Sequence, residues 1–243
     1  MARYHKRIID VFPLPETCYS LSVPLDALIF DFDGLILDTE TPEVLVWREL
    51  YRDYGQVFSD EQWIHSIGRG AEEMKEDPLE ALDRLVGGGL DLEEIDTLRK
   101  KRLMNMIYAE QPRRGVVPLL KEAKALGIRL GVASSSKHWW VDGHLQRLGL
   151  FQYFSHIVCA DDVLRAKPYP DLYMKAASLL KVGTDEVIAF EDSPNGIAAA
   201  VSAGIFVIAV PNSQTSSLDL SAANARFETL DGVGVDRLAE MLH

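Results

Sequence analysis

The sequence predicts an α/β protein: a doubly wound parallel sheet with an all-helical segment inserted after its first strand. Three observations carry that expectation. Short, almost continuously apolar runs recur at ALIFDF (27–32), IRLGVAS (128–134), HIVCA (156–160), EVIAFED (186–192) and IFVIAV (205–210), as strands covered on both faces should. Between the later runs lie the helical patterns VVPLLKEAKALG, KHWWVDGHLQRLGL, PDLYMKAASLLKVG and SPNGIAAAVSAG, and such alternation argues for a parallel sheet with helices on both sides. The stretch from about 42 to 112 breaks the rhythm, with helical patterns and no convincing strand.

Taken in chain order, residues 1–25 begin basic and carry Pro13, Pro15 and Pro24. They lack the apolar core and small-residue cleavage site of a signal peptide, so they read as an irregular leader. The first strand follows and ends in Asp31, Phe32, Asp33 and Gly34. The insert reads PEVLVWRELYRDYG, SDEQWIHSIG, EDPLEALDRLV and DLEEIDTLRKKRLMNMIYAEQ. In the last of these, Leu92, Ile95, Leu98, Leu103 and Met106 approximate one helical face, and Asp91 with Glu94 resembles a capping box. Gly87–Gly89 reads as a flexible connector. The later helical patterns each stop at a glycine, Gly127, Gly149, Gly183 and Gly204. The expected division is a leader over 1–25, an α/β core over 26–40 and 113–243, and a helical insert over 41–112.

Bulk properties narrow the function. The chain has 243 residues, 47% hydrophobic and 26% charged, enough for a sizeable core. A net charge of -12 disfavours nucleic acid and anionic membranes as partners. Cys18 and Cys159, the two cysteines, form no disulfide scaffold and no metal-binding spacing. A reduced, cytoplasmic setting and a monomer are expected, and no apolar run nears the roughly 20 residues that span a bilayer.

The chemistry gathers at strand ends. Asp31 and Asp33 are two apart on an extended segment, so both side chains are expected on one side. At about 5 Å and an effective dielectric of about 20, two such charges repel by roughly 3 kcal/mol, which a shared proton or a divalent cation can offset. Gly34 lets the chain turn away. GVASSSK puts Ser134 after the second strand, beside backbone amides at a helix start that suit an anion. RAKPYPD puts Lys167 in a loop after the third, and AFEDSPNG puts Glu191 and Asp192 after the fourth, with Pro194 in the first turn of the next helix. All lie at the carboxyl edge of the sheet, where open α/β sheets bind ligands. Carboxylates, a hydroxyl and an ammonium on one edge describe a site for a metal and a phosphate.

DFDGLILDTE, VASSSK, AKPYPD and FEDSPNG resemble, in order and spacing, the four motifs of the haloacid dehalogenase superfamily. The insert resembles the small helical cap of its β-phosphoglucomutase-like branch. The resemblance covers about 26–243 and implies a Rossmann-like core and a phosphatase of small phosphorylated metabolites, phosphosugar-type monoesters among them. It implies Asp31 as nucleophile, forming an aspartyl-phosphate, and Asp33 as general acid and then base. Mg²⁺ would be held by the Asp31 carboxylate, the Asp33 carbonyl and Asp192, with Glu191 behind them. Ser134 would bond a phosphoryl oxygen, and Lys167 would neutralise charge and keep Asp31 ionised. Gly34, Ser135, Thr39, Glu43 and Arg69, the last in the cap sequence IGRGAEE, fall at substrate-facing positions.

Two departures stand out. β-Phosphoglucomutases carry a histidine where this chain has Glu43, which turns the reading from a mutase, the runner-up, towards hydrolysis. The return from cap to core usually reads proline-glycine and is Arg114-Gly115 here, which argues for a less rigid hinge. Trp139 and Trp140 either pack between helix and cap or fill the core. A dehalogenase needs neither Asp33 nor a metal cage. A regulatory receiver-like module, the non-catalytic alternative, has no cap and carries its phosphoacceptor on a later strand.

Overall fold

A computed structural model describes residues 25–59 and 77–242. Six parallel strands run β1 Ala27–Phe30, β2 Arg129–Ala133, β3 His156–Val158, β4 Val187–Glu191, β5 Phe206–Ala209 and β6 Ala225–Arg226, in the sheet order β3-β2-β1-β4-β5-β6. β1 is central, with Phe30 in register with Val132 on one side and Phe190 on the other. The chain leaves β1 towards β2 in one direction and crosses back to β4 in the other. The sheet order therefore reverses beside β1, which opens a crevice at the carboxyl edge.

The described helices are α1 Glu40–Asp53, α2 Pro78–Val86, α3 Leu92–Ala109, α4 Val116–Ala125, α5 His138–Arg147, α6 Asp171–Leu180, α7 Pro194–Ser202 and α8 Val235–Met241. Strand alternation sorts the sheet into two unlike faces. Leu28, Phe30, Val132 and Phe190 pack with α4, α5 and α8, and Phe30 stacks on Phe190 at 4.9 Å. Ala27, Ala133, Ala189 and Ala209 lie on the other face, beneath α6 and α7. Small residues there let the alanine-rich α7 approach the strands closely. A third apolar cluster, Val44, Trp47, Leu50, Tyr51, Phe58, Leu82 and Ile95, belongs to α1, α2 and α3 and the loop after α1.

Several local expectations need correction. α6 ends not at Gly183 but at Lys181, which itself adopts the left-handed conformation (φ 57°). Gly87–Gly89 form a defined turn: all three have positive φ, Gly88 N–H bonds Asp83 C=O at 2.8 Å, and Leu90 N–H bonds the Asp83 carboxylate at 2.8 Å. On α3, Leu98 is 42% exposed, while Ile95 and Ile107 are the buried members. The burial runs along a four-residue spacing that the apolar pattern obscured, because Arg99 occupies the middle of it. Asp91 caps α3 through the Glu94 amide at 3.0 Å. The segment after β2 is not yet helical, since α5 starts only at His138. The short β6 carried no sequence signal.

The return from α3 to the core is anchored by Arg113 rather than by its neighbour Arg114. The Arg113 guanidinium donates to the carbonyls of Gly34, Val210 and Pro211, and its N–H bonds Ile36 C=O. Gly115 follows at φ 85°, where a Cβ would fall 1.9 Å from the Leu230 backbone. The expected looseness of this hinge is therefore offset by another residue. Among the described residues no helix is long and apolar enough to cross a membrane.

Candidate active site

Asp31, Ser134, Lys167, Glu191 and Asp192 converge at the crevice beside β1. Each follows or ends a strand, except Lys167, which arrives on the loop after β3. The Lys167 ammonium lies 2.6 Å from Asp31 Oδ1 and 2.6 Å from Glu191 Oε1. Its side chain is 5% exposed. Phe32 N–H also bonds Asp31 Oδ1 at 2.7 Å. Glu191 is wholly buried and accepts from Tyr173 Oη at 2.5 Å and from the Asp192 amide at 3.2 Å. Gly196, in the first turn of α7, makes room for it: a Cβ there would sit 2.0 Å from the Glu191 carboxylate.

Carboxylate oxygens of Asp31, Glu191 and Asp192 all lie within 4.8 Å of one another. One ammonium faces three carboxylates. Burial, reinforced by Glu191, holds Asp31 well above the usual carboxylate range despite Lys167. Burial, with Glu40 and Asp31, does the same to Asp192. Burial pulls the Lys167 ammonium down, but Asp31 and Glu191 outweigh it and keep the cation. A hard divalent cation fits this set: it takes oxygen donors, and it supplies the positive charge that the cluster lacks.

Asn212, on the loop after β5, completes the cluster. Its Nδ2 donates to Asp192 Oδ2 at 2.7 Å, to Glu40 Oε2 at 2.7 Å and to Gly34 C=O at 3.4 Å. Gly34 has φ 75°, and a Cβ there would lie 2.2 Å from Asp192 Oδ2, so only glycine fits. Burial raises Glu40 to about 7, with the Asn212 bond opposing.

Asp33 stands apart from the cluster. β1 ends at Phe30, so the two aspartates do not share its alternation. Asp33 pairs with Leu37 in an isolated bridge. Its Oδ1 accepts from Thr39 Oγ1 at 3.0 Å and Trp140 Nε1 at 2.9 Å, and its Oδ2 from Ser136 Oγ at 2.6 Å. Ser134 is buried and its Oγ accepts from Ser136 N–H at 3.0 Å, which shapes the loop before α5.

A cavity of about 870 Å³ spans the space from this edge to α1, α2 and α3. Asp31, Asp33, Ser134, Ser135 and Lys167 line one end; Glu43, Trp47, Asp96, Arg99 and Leu103 line the other. Burial pushes Glu43 up, with Arg99 opposing. Arg99 lies 4.6 Å over the Trp47 ring and bonds Asp96 at 2.8 Å. Trp139, 71% exposed, and Trp140 stand at the cavity wall, and Trp140, half-buried, also packs against the core. Arg69 lies outside the described residues. The sequence singled out Trp140 for packing but not for its bond to Asp33, and it gave no role to Ser136, Tyr173 or Asn212. Of these, Asn212 had a readable signal, since it follows β5 at the same sheet edge as Asp31 and Asp192.

Comparison with known proteins agrees with this geometry. Residues 28–210 match the family model described as "Haloacid dehalogenase-like hydrolase". YhcW of Bacillus subtilis (strain 168) is 44% identical over 206 residues, covering 85% of this chain and 92% of that protein. The "Phosphorylated carbohydrates phosphatase" of Thermotoga maritima is 33% identical, covering 74% of this chain and 82% of its own. Among solved structures, CbbY from Rhodobacter sphaeroides in complex with phosphate superimposes with a TM-score of 0.67 at 26% identity, covering 87% of this chain and 98% of that one.

Proposed function

This chain belongs to the haloacid dehalogenase-like hydrolases and is a phosphoric monoester hydrolase, and from that premise we propose that it is a magnesium-dependent phosphatase of sugar- or polyol-type monophosphates. The observation that carries the reading is the buried set Asp31, Lys167 and Asp192, backed by Glu191, at one end of a cavity much larger than a phosphate.

In this reading the Asp31 carboxylate attacks phosphorus while the ester P–O bond breaks. Asp33 gives its proton to the departing alkoxide. It then takes a proton from the water that opens the aspartyl-phosphate, which frees inorganic phosphate and restores Asp31. Lys167 spreads positive charge over Asp31 and the phosphoryl oxygens, and Ser134 donates to one of those oxygens. Mg²⁺, held by Asp31, Asp192 and the Asp33 carbonyl with Glu191 behind, would screen the carboxylates from the phosphoryl charge. Residues 41–112 act as a cap, closing the cavity away from water.

The substrate class rests on the far end of the cavity. Trp139, 71% exposed, offers an aromatic face at the cavity wall, and Glu43 offers a carboxylate that can accept hydroxyl donors. Arg99 and Lys100 are already paired with Asp96, at 2.8 and 2.6 Å, so a second phosphate would have to displace that carboxylate. The Thermotoga maritima relative carries a name of the same class. Glu43, standing where a phosphosugar mutase has histidine, supports hydrolysis.

The test is a panel of phosphorylated metabolites incubated with Mg²⁺, reading inorganic phosphate and isomeric phosphosugar in parallel. Hexose and polyol monophosphates should release phosphate faster than bisphosphates. Accumulation of an isomer without phosphate would replace the phosphatase with a mutase.

A further inference from the structure

Asp33 is held by a residue outside the motifs that built the site. The indole N–H of Trp140 meets Asp33 Oδ1 at 2.9 Å across 107 positions of sequence. An indole nitrogen only donates, so this contact fixes which way Oδ1 faces. The hydroxyl of Ser136 takes Oδ2 at 2.6 Å. The Thr39 hydroxyl shares Oδ1 at 3.0 Å, so Oδ1 accepts from two donors and Oδ2 from one.

The indole is itself held. Its ring meets the His144 ring edge-on at 4.3 Å. His144 is buried and stacks on Phe32 at 6.2 Å, and Phe32 lies between Asp31 and Asp33 in sequence. Arg147, one turn on, donates to the last carbonyls of α3, those of Ile107 and Tyr108, and to Glu110 C=O beyond it. Trp140 is thus locked between the core and the end of the insert, with its one polar atom aimed at Asp33.

We infer that Trp140 is a positioning residue for the proton-transfer step: its N–H, beside the Thr39 hydroxyl and with Ser136 opposite, holds the Asp33 carboxyl in the orientation from which it serves the leaving oxygen. This rests on the phosphatase reading for its kinetic consequence, but the contact itself does not. Loss of the N–H removes one of three bonds that orient the carboxyl and leaves it held by Thr39 and Ser136 alone, so the cost falls on substrates whose leaving oxygen needs a proton and spares those that leave unaided.

The experiment uses the full chain with Mg²⁺ and follows single-turnover phosphoenzyme formation. Trp140→Phe keeps a ring against His144 and removes the N–H. With a sugar phosphate from the panel it should slow phosphoenzyme formation about tenfold, with half-saturation nearly unchanged. With p-nitrophenyl phosphate the loss should stay within about twofold. Ser136→Ala, which spares the aromatic packing, should show the same selectivity. In the Asp33→Ala background, Trp140→Phe should cost nothing further. Equal losses for the two substrates, or the same loss with and without Asp33, would overturn the inference. A second arm needs no activity: the indole N–H resonance that disappears in Trp140→Phe should move in Asp33→Ala. If the wild type releases no phosphate from any substrate, the phosphatase reading falls, and this arm alone decides the clamp: movement sustains it and a stationary resonance ends it.

Discussion

Gly196 and Gly143 pose the same chemical question and receive opposite answers. Both are helical, and adding a methyl to a helical glycine normally stabilises by about 0.5–1 kcal/mol. A Cβ at Gly143 would meet no atom outside its own helix within 4 Å, so Gly143→Ala should gain that amount. At Gly196 the same methyl would enter the Glu191 carboxylate, which Lys167 and Tyr173 hold in place. Gly196→Ala should therefore cost about 2 kcal/mol, read as a lower denaturant midpoint, together with most of the activity. A neutral Gly196→Ala would mean that Glu191 is not fixed as described. Asp31→Asn separates chemistry from stability in the same region. It should lower turnover at least about 10³-fold. It should also raise the melting temperature without divalent cation, because it removes one of three crowded buried carboxyl groups. Retention of a substantial fraction of the rate would rule out Asp31 as nucleophile.

At the level of elements, the first turn of α5 is tied to the loop after β3. His138 lies 3.1 Å from Asp142 and 2.8 Å from Asp162, and its N–H bonds Asp161. Partial burial works against the imidazolium, but Asp162 and Asp142 outweigh it and raise His138. A folded value above the unfolded one gives stability that is present below about pH 6.5 and lost as pH rises through the folded value. His138→Gln should therefore lower the melting temperature at about pH 6 and leave it nearly unchanged at about pH 9. An equal loss at both would show that the contribution is packing, not charge. Legibility also divides along elements. The five longer strands were readable because burial on both faces makes each a continuous apolar word. β6 is two residues, Ala225–Arg226, and writes no such word. The glycine stops held at Gly127, Gly149 and Gly204, where φ is positive. They failed at Gly183 because Lys181 took the left-handed turn itself. The motif residues were legible because each follows a strand. Trp140 and Tyr173 reach the site from helices, and no local pattern reports the far end of a side chain.

For the whole molecule, the sheet edge holds three buried carboxylates against one ammonium. A ligand that binds only the folded chain stabilises it by mass action. Mg²⁺ at about a hundredfold over its Kd should add about 2.7 kcal/mol, or a rise of roughly 5–10 °C in melting temperature for a chain of this size. Asp192→Asn should shrink that rise, and chelator should abolish it along with turnover. A melting temperature indifferent to Mg²⁺ would remove the metal from the site.

The separate apolar cluster of α1, α2 and α3 has a consequence for how this protein can diverge. Val44, Leu50, Phe58 and Leu82 pack with one another and not with the residues beneath the sheet. Side chains of this cluster can therefore be exchanged with little effect on Asp31, Lys167 or Glu191, whereas Leu103 also packs against the main core. Ile107, at the end of α3, belongs instead to the core under the sheet, so variation is free on the α1–α2 side and constrained there. An anchor that any exchange must respect is Arg113, which bonds the Gly34 carbonyl after β1 and the Val210 and Pro211 carbonyls after β5.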